Sequence, residues 1–337
     1  MKLFFDLICV AVVFQVATVN AALAKDEVSL SALRTKEFSA SLTFERKRYE
    51  RKLYTGDLMS YISDGLKVFA LVNTPNIDKP KSGFPVVIFG HGFHPNPKNY
   101  GISADGQVSR PGDYYRGIPE HFAEHGFIAV TPDYRGHSSS EGFEFTRTSY
   151  LASSYYASDV LHVLAGLPSL QDADLDRIYY LGHSMGGDVG LKVLLASNQF
   201  KAASLWAPVA ATTDHQALYY GSYYDESHSH EDERADPAAI QRYTNKIDSL
   251  YSDLPVVISK DQVDPIHYIK DLSTPIVVHH ARGDSSVPYI WSQDLVLKLF
   301  QSGKDFRFYS YDGDSHLFEG KNRRLAFERD LQFFSEH

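Results

Sequence analysis

GHSMG, residues 182–186, lies between two segments of different hydrophobic periodicity. A short apolar run, Arg177–Leu181, comes directly before it, and a helical pattern over residues 188–195 follows it. A serine between a strand and a helix, with a glycine two residues away on each side, is typical of a nucleophile elbow. The glycines allow a sharp turn that lifts the Ser184 hydroxyl clear of the sheet, at the start of a helix. We therefore predict Ser184 as a nucleophile, the alternative being a glycine-rich turn with an incidental serine.

Around this motif, short apolar runs alternate with helical patterns from residue 84 to the end of the chain. Such alternation predicts an α/β fold with a doubly wound, mostly parallel sheet. Two earlier runs, 58–63 and 66–72, are joined by Asp64-Gly65, which predicts a hairpin that adds antiparallel leading strands. A further strand is predicted near residues 38–44. The charged run that follows, residues 45–52, is predicted to be a solvated face or loop.

The bulk properties exclude some classes of partner. The chain has 337 residues, enough for one large α/β domain with insertions or for two small domains. Its formal net charge is -9 at pH 7, and Lys and Arg form no cluster that would suit a polyanion. We therefore expect neither nucleic acid nor an anionic membrane as the main partner. The sequence leaves the oligomeric state open.

The N-terminus has the pattern of a signal peptide over residues 1–24. Lys2 supplies the positive end, Leu7–Phe14 the apolar stretch, and Ala22-Leu23-Ala24 a cleavage-like site. The alternative is an ordinary buried N-terminal helix. We expect export to the periplasm or the extracellular space, with no stable membrane anchor because no other segment is long and apolar enough to span a bilayer. Cleavage would remove Cys9, which is the single cysteine of the chain.

A long connection interrupts the alternation at about residues 209–264, and connections of this length are usually lids or caps. We predict a lid insertion there, between strands 6 and 7 of the parallel sheet. Its tyrosine pairs, 219–220 and 223–224, either line an aromatic substrate pocket or pack the lid on the core. Its run His228–Glu233 could bind a divalent metal but lacks fixed ligand spacing, so we favour a solvated loop and expect no metal.

A serine nucleophile needs a base and a group that orients the base, and in this fold both follow later strands. Asp284 comes just after the apolar run 276–280, and His316 just after the last strand, 306–311. The chain order Ser184, Asp284, His316 is the order expected for this fold. Asp214, which follows the preceding strand, is the rival for the acid.

An oxyanion hole requires two backbone donors. We expect one from Met185, the residue after the nucleophile, and the other from Phe93, in the loop Gly90-His91-Gly92-Phe93. The alternative for this loop is a plain glycine turn. We expect His91 and His183 to shape the substrate-binding site rather than to act as the base, because each is tied to a tight turn.

These motifs together resemble the α/β-hydrolase superfamily, particularly single-domain serine hydrolases of the prolyl oligopeptidase and dienelactone hydrolase kind. The resemblance runs from about Tyr61 to the C-terminal helix. The motifs that carry it are Ser63-Asp64-Gly65-Leu66-Lys67, Gly90-His91-Gly92, Pro132-Asp133-Tyr134-Arg135-Gly136-His137, Gly182-His183-Ser184-Met185-Gly186-Gly187, Gly283-Asp284-Ser285-Ser286-Val287-Pro288 and Ser315-His316. The resemblance implies hydrolysis of an ester or amide through an acyl-serine, without a cofactor, by one domain over residues 25–337.

The motifs do not specify the substrate. We expect no counterpart here of the β-propeller that restricts prolyl oligopeptidases to short peptides. We expect a carboxylesterase acting on a small-molecule ester. The alternatives are an aminopeptidase or acylpeptidase acting on short peptides with the same triad, and a non-catalytic protein that uses the fold for binding.

Overall fold

The computed structural model describes residues 28–94, 97–99, 115, 117–142, 151–220, 245, 258–313 and 315–337. Within them a nine-stranded sheet has the strand order β1-β2-β3-β5-β4-β6-β7-β8-β9. The strands are β1 (Thr43–Glu50), β2 (Tyr54–Ser63), β3 (Leu66–Pro75), β4 (Phe84–Gly90), β5 (Ile128–Asp133), β6 (Ala173–His183), β7 (Phe200–Trp206), β8 (Ile276–Ala281) and β9 (Phe306–Tyr311).

The sheet is antiparallel at its leading edge and parallel beyond it. β1, β2, β3 and β5 pair antiparallel, and all later pairs, from β5–β4 to β8–β9, are parallel. The predicted α/β class with a doubly wound, mostly parallel sheet is therefore confirmed. The hairpin at Asp64-Gly65 is also as predicted: both residues have positive φ, 51° and 83°, as a type I′ turn requires.

The helices cover both faces of the sheet. They are α1 (Leu30–Thr35), α2 (Gly117–Glu124), α3 (Ala152–Gly166), α4 (Met185–Ala196), α5 (Thr213–Tyr220), α6 (Tyr289–Gln301) and α7 (Gly320–Glu336). Apolar side chains of α1, α3, α4 and α6 share one core cluster, and those of α2 and α7 share another. The central strands are buried on both faces, which explains their continuous apolar runs. No helix in the described part of the chain is both long and apolar enough to cross a bilayer.

One strand differs from the sequence-based expectation. The leading strand is at Thr43–Glu50 instead of near residues 38–44, and most of it lies in the charged run predicted to be a solvated face or loop. This run is solvated as expected, but it is a strand because its backbone pairs with β2 along the sheet edge. The predicted lid falls between β7 and β8 of the observed sheet rather than between strands 6 and 7. Its core, residues 221–244 and 246–257, lies outside the described residues, as does the predicted signal peptide.

Candidate active site

Ser184 stands at the junction of β6 and α4 in a strained backbone conformation. Its φ of 57° and ψ of -120° lie outside the regions that L-residues usually adopt. Neighbouring elements hold it there: the Ser184 N–H donates to Trp206 O at 2.9 Å, and Val209 N–H donates to Ser184 O at 3.0 Å. The elbow is therefore fixed by backbone contacts with the segment after β7, which presents the serine at the carboxyl edge of the sheet.

The glycines of the elbow are required by close backbone approach. A Cβ atom on Gly182 would lie 2.3 Å from Gly186 O, and one on Gly186 would lie 2.0 Å from Gly90 O. Both distances are far below van der Waals contact, and backbone atoms on both sides leave no room to relax. The two glycines therefore allow β4, β6 and α4 to meet immediately behind Ser184.

Asp284 and His316 come together from the ends of β8 and β9. The distance from His316 Nδ1 to Asp284 Oδ2 is 2.6 Å. The other carboxylate oxygen, Oδ1, accepts the backbone N–H groups of Ser286 at 2.8 Å and Val287 at 3.0 Å. Burial alone would raise the pKa of Asp284, but hydrogen bonds from His280 and His316 outweigh it and hold that pKa below its usual range. Asp284 is therefore an anion fixed beside the imidazole.

Asp214, the rival acid, has a different environment. Its Oδ1 accepts a hydrogen bond from Lys260 Nζ at 2.7 Å, and 60% of its side chain is exposed. The structure thus gives Asp214 a surface ion pair, whereas it places Asp284 against His316.

His183 supports His316 from behind. Its Nε2–H donates to the backbone oxygen of His316 at 3.0 Å, and the two ring centroids are 4.4 Å apart. Its Nδ1 lies 2.9 Å from the hydroxyl of Tyr115. Burial lowers the pKa of His183 well below its ordinary value and keeps the ring neutral, so Nδ1 accepts a hydrogen bond from this hydroxyl. We expected His183 to contribute to the substrate-binding site, but each of its ring nitrogens forms a hydrogen bond within the protein. It therefore fixes the backbone of His316.

His91 lies in the loop after β4 and is almost fully buried. Its Nδ1–H donates to Gly92 O at 2.9 Å, its ring packs 4.3 Å from that of Tyr134, and burial lowers its pKa to about 4. Within the described residues its Nε2 has no hydrogen-bond partner. His91 is thus a neutral ring beside the site, and substrate contact by its Nε2 remains a prediction.

The two residues expected to donate to an oxyanion flank this region. Met185 is the first residue of α4, where backbone N–H groups are not used within the helix. The loop bearing Phe93 passes close to the nucleophile, since a Cβ atom on Gly92 would lie 3.2 Å from Ser184 Cβ. Phe93 itself is 42% exposed. The loop is therefore beside Ser184, as an oxyanion donor there requires.

Helix α5, at the start of the predicted lid, is attached to the loop that carries Asp284. The hydroxyls of Tyr219 and Tyr220 donate to Ser285 O at 2.8 Å and Ser286 O at 3.0 Å. Both rings pack edge-on against Trp291 at centroid distances of 5.5 and 5.7 Å. Of the two roles considered for this pair, the structure shows packing. The second pair, 223–224, and the run His228–Glu233 lie outside the described residues.

Sequence reasoning missed Tyr115 and His280, which contact His183 and Asp284 respectively. Neither residue belongs to a pattern that would have singled it out. The sequence places Tyr115 amid a long loop, and His280 is one of two adjacent histidines at the end of a strand. Tyr115 reaches His183 only because segments distant in sequence pack together, and His280 meets Asp284 through the turn after β8.

The sequence profile of the prolyl oligopeptidase family matches residues 114–337, about two thirds of the chain and the part that contains Ser184, Asp284 and His316. The chain belongs to the prolyl oligopeptidase family. It is accordingly a serine hydrolase with the α/β-hydrolase fold. No curated protein matches the sequence significantly.

Solved structures of similar fold include peptidases and esterases. Dipeptidyl peptidase 4 from Porphyromonas gingivalis is 17% identical with a TM-score of 0.60, and acylaminoacyl peptidase from Pyrococcus horikoshii is 19% identical with a TM-score of 0.58. The matches cover 85% and 84% of this chain but only 36% and 42% of those proteins. Acetyl xylan esterase from Paenibacillus sp. R4 is 15% identical with a TM-score of 0.62, covering 91% of this chain and 92% of that one. At these identities the likeness concerns the fold.

Proposed function

We propose that this serine hydrolase cleaves a carboxylic ester by a Ser184–His316–Asp284 triad. The observation that carries the proposal is the 2.6 Å contact between His316 Nδ1 and Asp284 Oδ2. Ser184 is strained into an elbow directly after His183, whose side chain contacts the backbone of His316. An anionic acid on Nδ1 leaves the other imidazole nitrogen, Nε2, free to take the serine proton. The three groups follow β6, β8 and β9, whose carboxyl ends share one edge of the sheet.

In the proposed reaction the Ser184 oxygen attacks the carbonyl carbon of the ester while His316 Nε2 takes its proton. The N–H groups of Met185 and Phe93 hold the developing oxyanion. His316 then donates the proton to the leaving alcohol, and an acyl group remains on Ser184. Water, deprotonated by the same nitrogen, releases the carboxylic acid and restores the serine. Asp284 stays ionised throughout and holds the imidazole in one tautomer.

A second candidate is cleavage of a short peptide or acylated amide by the same triad. The family assignment and the peptidases among the structures of similar fold favour it. Against it, the sequence shows no recognisable acidic pair that would bind a substrate amine. We therefore propose a small ester as the substrate and keep the peptide as the alternative.

Matched substrates distinguish the two candidates. We expect kcat/KM for p-nitrophenyl acetate and other short esters to exceed that for aminoacyl-naphthylamides of equal size, and Ser184→Ala to abolish both activities. Faster hydrolysis of the amides would favour the peptidase. Ester hydrolysis at the wild-type rate by Ser184→Ala would refute the triad itself.

We also propose that residues 1–24 are a cleaved signal peptide and that the enzyme works in the periplasm or outside the cell. The proposal is supported by the basic end, the apolar stretch and the Ala22-Leu23-Ala24 site. The intact mass of protein exported by a bacterial host should correspond to a chain that starts at Lys25. A chain that retains its first 24 residues would contradict this.

A further inference from the structure

His280 lies at the end of β8, four residues before Asp284, and its side chain has no solvent exposure. Its Nδ1 is 2.7 Å from the Ser292 hydroxyl, in the first turns of α6. Its Nε2 is 3.2 Å from Val287 O and 3.3 Å from Asp284 Oδ2. The ring therefore spans from α6 to the carboxylate that holds His316.

The partners of Nε2 determine where its hydrogen is. The backbone oxygen of Val287 and the ionised carboxylate of Asp284 can only accept hydrogen bonds. Nε2 must therefore carry a hydrogen whether the ring is neutral or protonated, and that N–H points between two acceptors. Because the side chain is fully buried, no water competes for these contacts, and they are stronger than they would be at a surface.

We propose that His280 is a positioning residue that weakens the hold of Asp284 on the proton of His316, an inference that rests on the proposed triad. The two histidines share one oxygen, Oδ2, at 2.6 Å for His316 and 3.3 Å for His280. The other oxygen is occupied by two backbone N–H groups, from Ser286 and Val287. The carboxylate charge is thus divided among four donors.

A carboxylate oxygen that already faces one donor is a weaker partner for a second. Loss of the His280 N–H should leave more of the charge of Oδ2 to His316 and stabilise its protonated form. The base would then be protonated, and inactive, at higher pH than in the wild-type enzyme. The direction is the same for a neutral and for a charged His280, since both donate to Oδ2.

The other titratable groups around His280 do not reverse this direction. Tyr289 of α6 packs edge-on against its ring at a centroid distance of 5.5 Å. His183 contacts the backbone oxygen of His316, and burial lowers the pKa of His183 well below its ordinary value, so that its ring stays neutral. The acid limb of the rate profile therefore reports the His316–Asp284 pair.

Two variants with amide side chains, each placing an N–H at the position of a different ring nitrogen, give a matched test. In His280→Gln the side-chain N–H can reach the place of Nε2, whereas in His280→Asn it reaches only the place of Nδ1, beside Ser292. We expect His280→Asn to move the acid limb of kcat/KM for p-nitrophenyl acetate up by about 0.5 to 1 pH unit, and His280→Gln to restore the wild-type position. Loss of packing alone would lower stability in both variants without this difference.

The outcomes are distinguishable from failure of the triad. If both folded variants keep the wild-type acid limb, or if both shift it equally, the proposal is overturned while the triad stands. The downfield proton resonance of His316 Nδ1–H needs no substrate, and it should move further downfield in His280→Asn only. If His280→Asn does not fold, His280→Leu carries the test, because it removes the N–H that faces Asp284 and keeps an apolar side chain in the buried space. An unchanged acid limb in that folded variant overturns the proposal.

Discussion

Ser184 has a positive φ, and the positions two residues before and after it have space only for glycine. This combination could be predicted from the sequence, because the elbow depends on residues within a few positions of the serine. The contacts of His183 and His280 could not, because no local pattern indicates that Tyr115, from a long loop, or Ser292, from the following helix, is a partner. At the scale of single residues, the sequence therefore predicts the chemistry and the structure supplies the groups that position it.

Gly186 lies so close to the backbone of Gly90 that no other residue type fits at this position. Gly186→Ala should destabilise the protein by about 3 kcal/mol, because the new methyl group would lie 2.0 Å from the backbone oxygen of Gly90. Gly117→Ala is the matched control: Gly117 also begins a helix, and a Cβ atom there meets nothing within 4 Å. That variant should stay within about 1 kcal/mol of wild type. Urea denaturation measures both, and equal stabilities would contradict the close approach.

Substitutions of Asp284 and of Asp214 test which of these two residues is the acid of the triad. Asp284→Asn should lower kcat by about 10³ to 10⁴ fold, because an amide no longer stabilises the imidazolium or fixes its tautomer. Asp214→Asn should remain near wild type, since an exposed ion pair contributes about 0 to 1 kcal/mol. Steady-state kinetics on a short ester measure both, and the reverse order of effects would assign the acid to Asp214.

Among the elements, the parallel strands were predictable and the edge strand β1 was not. A strand buried on both faces must be apolar, and its run is visible in the sequence. β1 is exposed along most of its length, so its charged residues carry no such signal, and only pairing with β2 makes it a strand. Helix α5 begins the predicted lid, and hydroxyls of its tyrosines donate hydrogen bonds to the loop that carries Asp284. No local sequence pattern indicates this contact.

Helix α7 is tied to the sheet through Asp330, which is fully buried. Its carboxylate accepts hydrogen bonds from Ser204 Oγ at 2.7 Å, Trp206 Nε1 at 2.9 Å and His279 Nε2 at 2.9 Å. Asp330→Ala should cost about 3 to 5 kcal/mol, because three buried donors lose their acceptor. Glu328→Ala, on the exposed side of the same helix, is the control. Equal urea midpoints for the two variants would contradict the role of Asp330 in attaching α7 to the sheet.

At the scale of the whole molecule, a buried charge cluster joins the leading hairpin to the rest of the domain. Asp64, in the turn between β2 and β3, accepts hydrogen bonds from Arg135 Nη2 at 2.7 Å and His162 Nε2 at 2.9 Å, and from Lys36 Nζ. Burial would raise the pKa of Asp64, but these partners outweigh it and lower the pKa below its ordinary value.

This cluster predicts acid lability. A carboxyl with a lowered pKa stabilises the fold above its unfolded pKa of about 3.9, and that contribution is lost as the pH falls below about 4. Asp64→Asn should lower the free energy of unfolding at pH 7 and flatten its fall between about pH 5 and 3. Asp312→Asn is the control, since Asp312 forms an exposed ion pair with Arg282. Parallel stability curves for Asp64→Asn and wild type would contradict the role of the cluster.

The order of the motifs predicted in outline the contact that the structure shows between Asp284 and His316. A doubly wound sheet brings the carboxyl ends of its parallel strands to one edge, so groups after β6, β8 and β9 meet there. Substrate choice was not predictable, because the two long loops of the sequence, residues 93–116 and about 209–264, contain no recognisable specificity motif. The comparisons agree with this division, since the solved structures of similar fold include both peptidases and esterases.

Covalent labelling with a fluorophosphonate probe tests the central claim, that Ser184 is a nucleophile activated by His316. Digestion and mass spectrometry of the labelled protein should show one adduct, on the peptide that contains Ser184. Ser184→Ala should lose the adduct, and Asp284→Asn should acquire it much more slowly. A folded wild-type protein that is not labelled, or an adduct that persists in Ser184→Ala, would contradict the account.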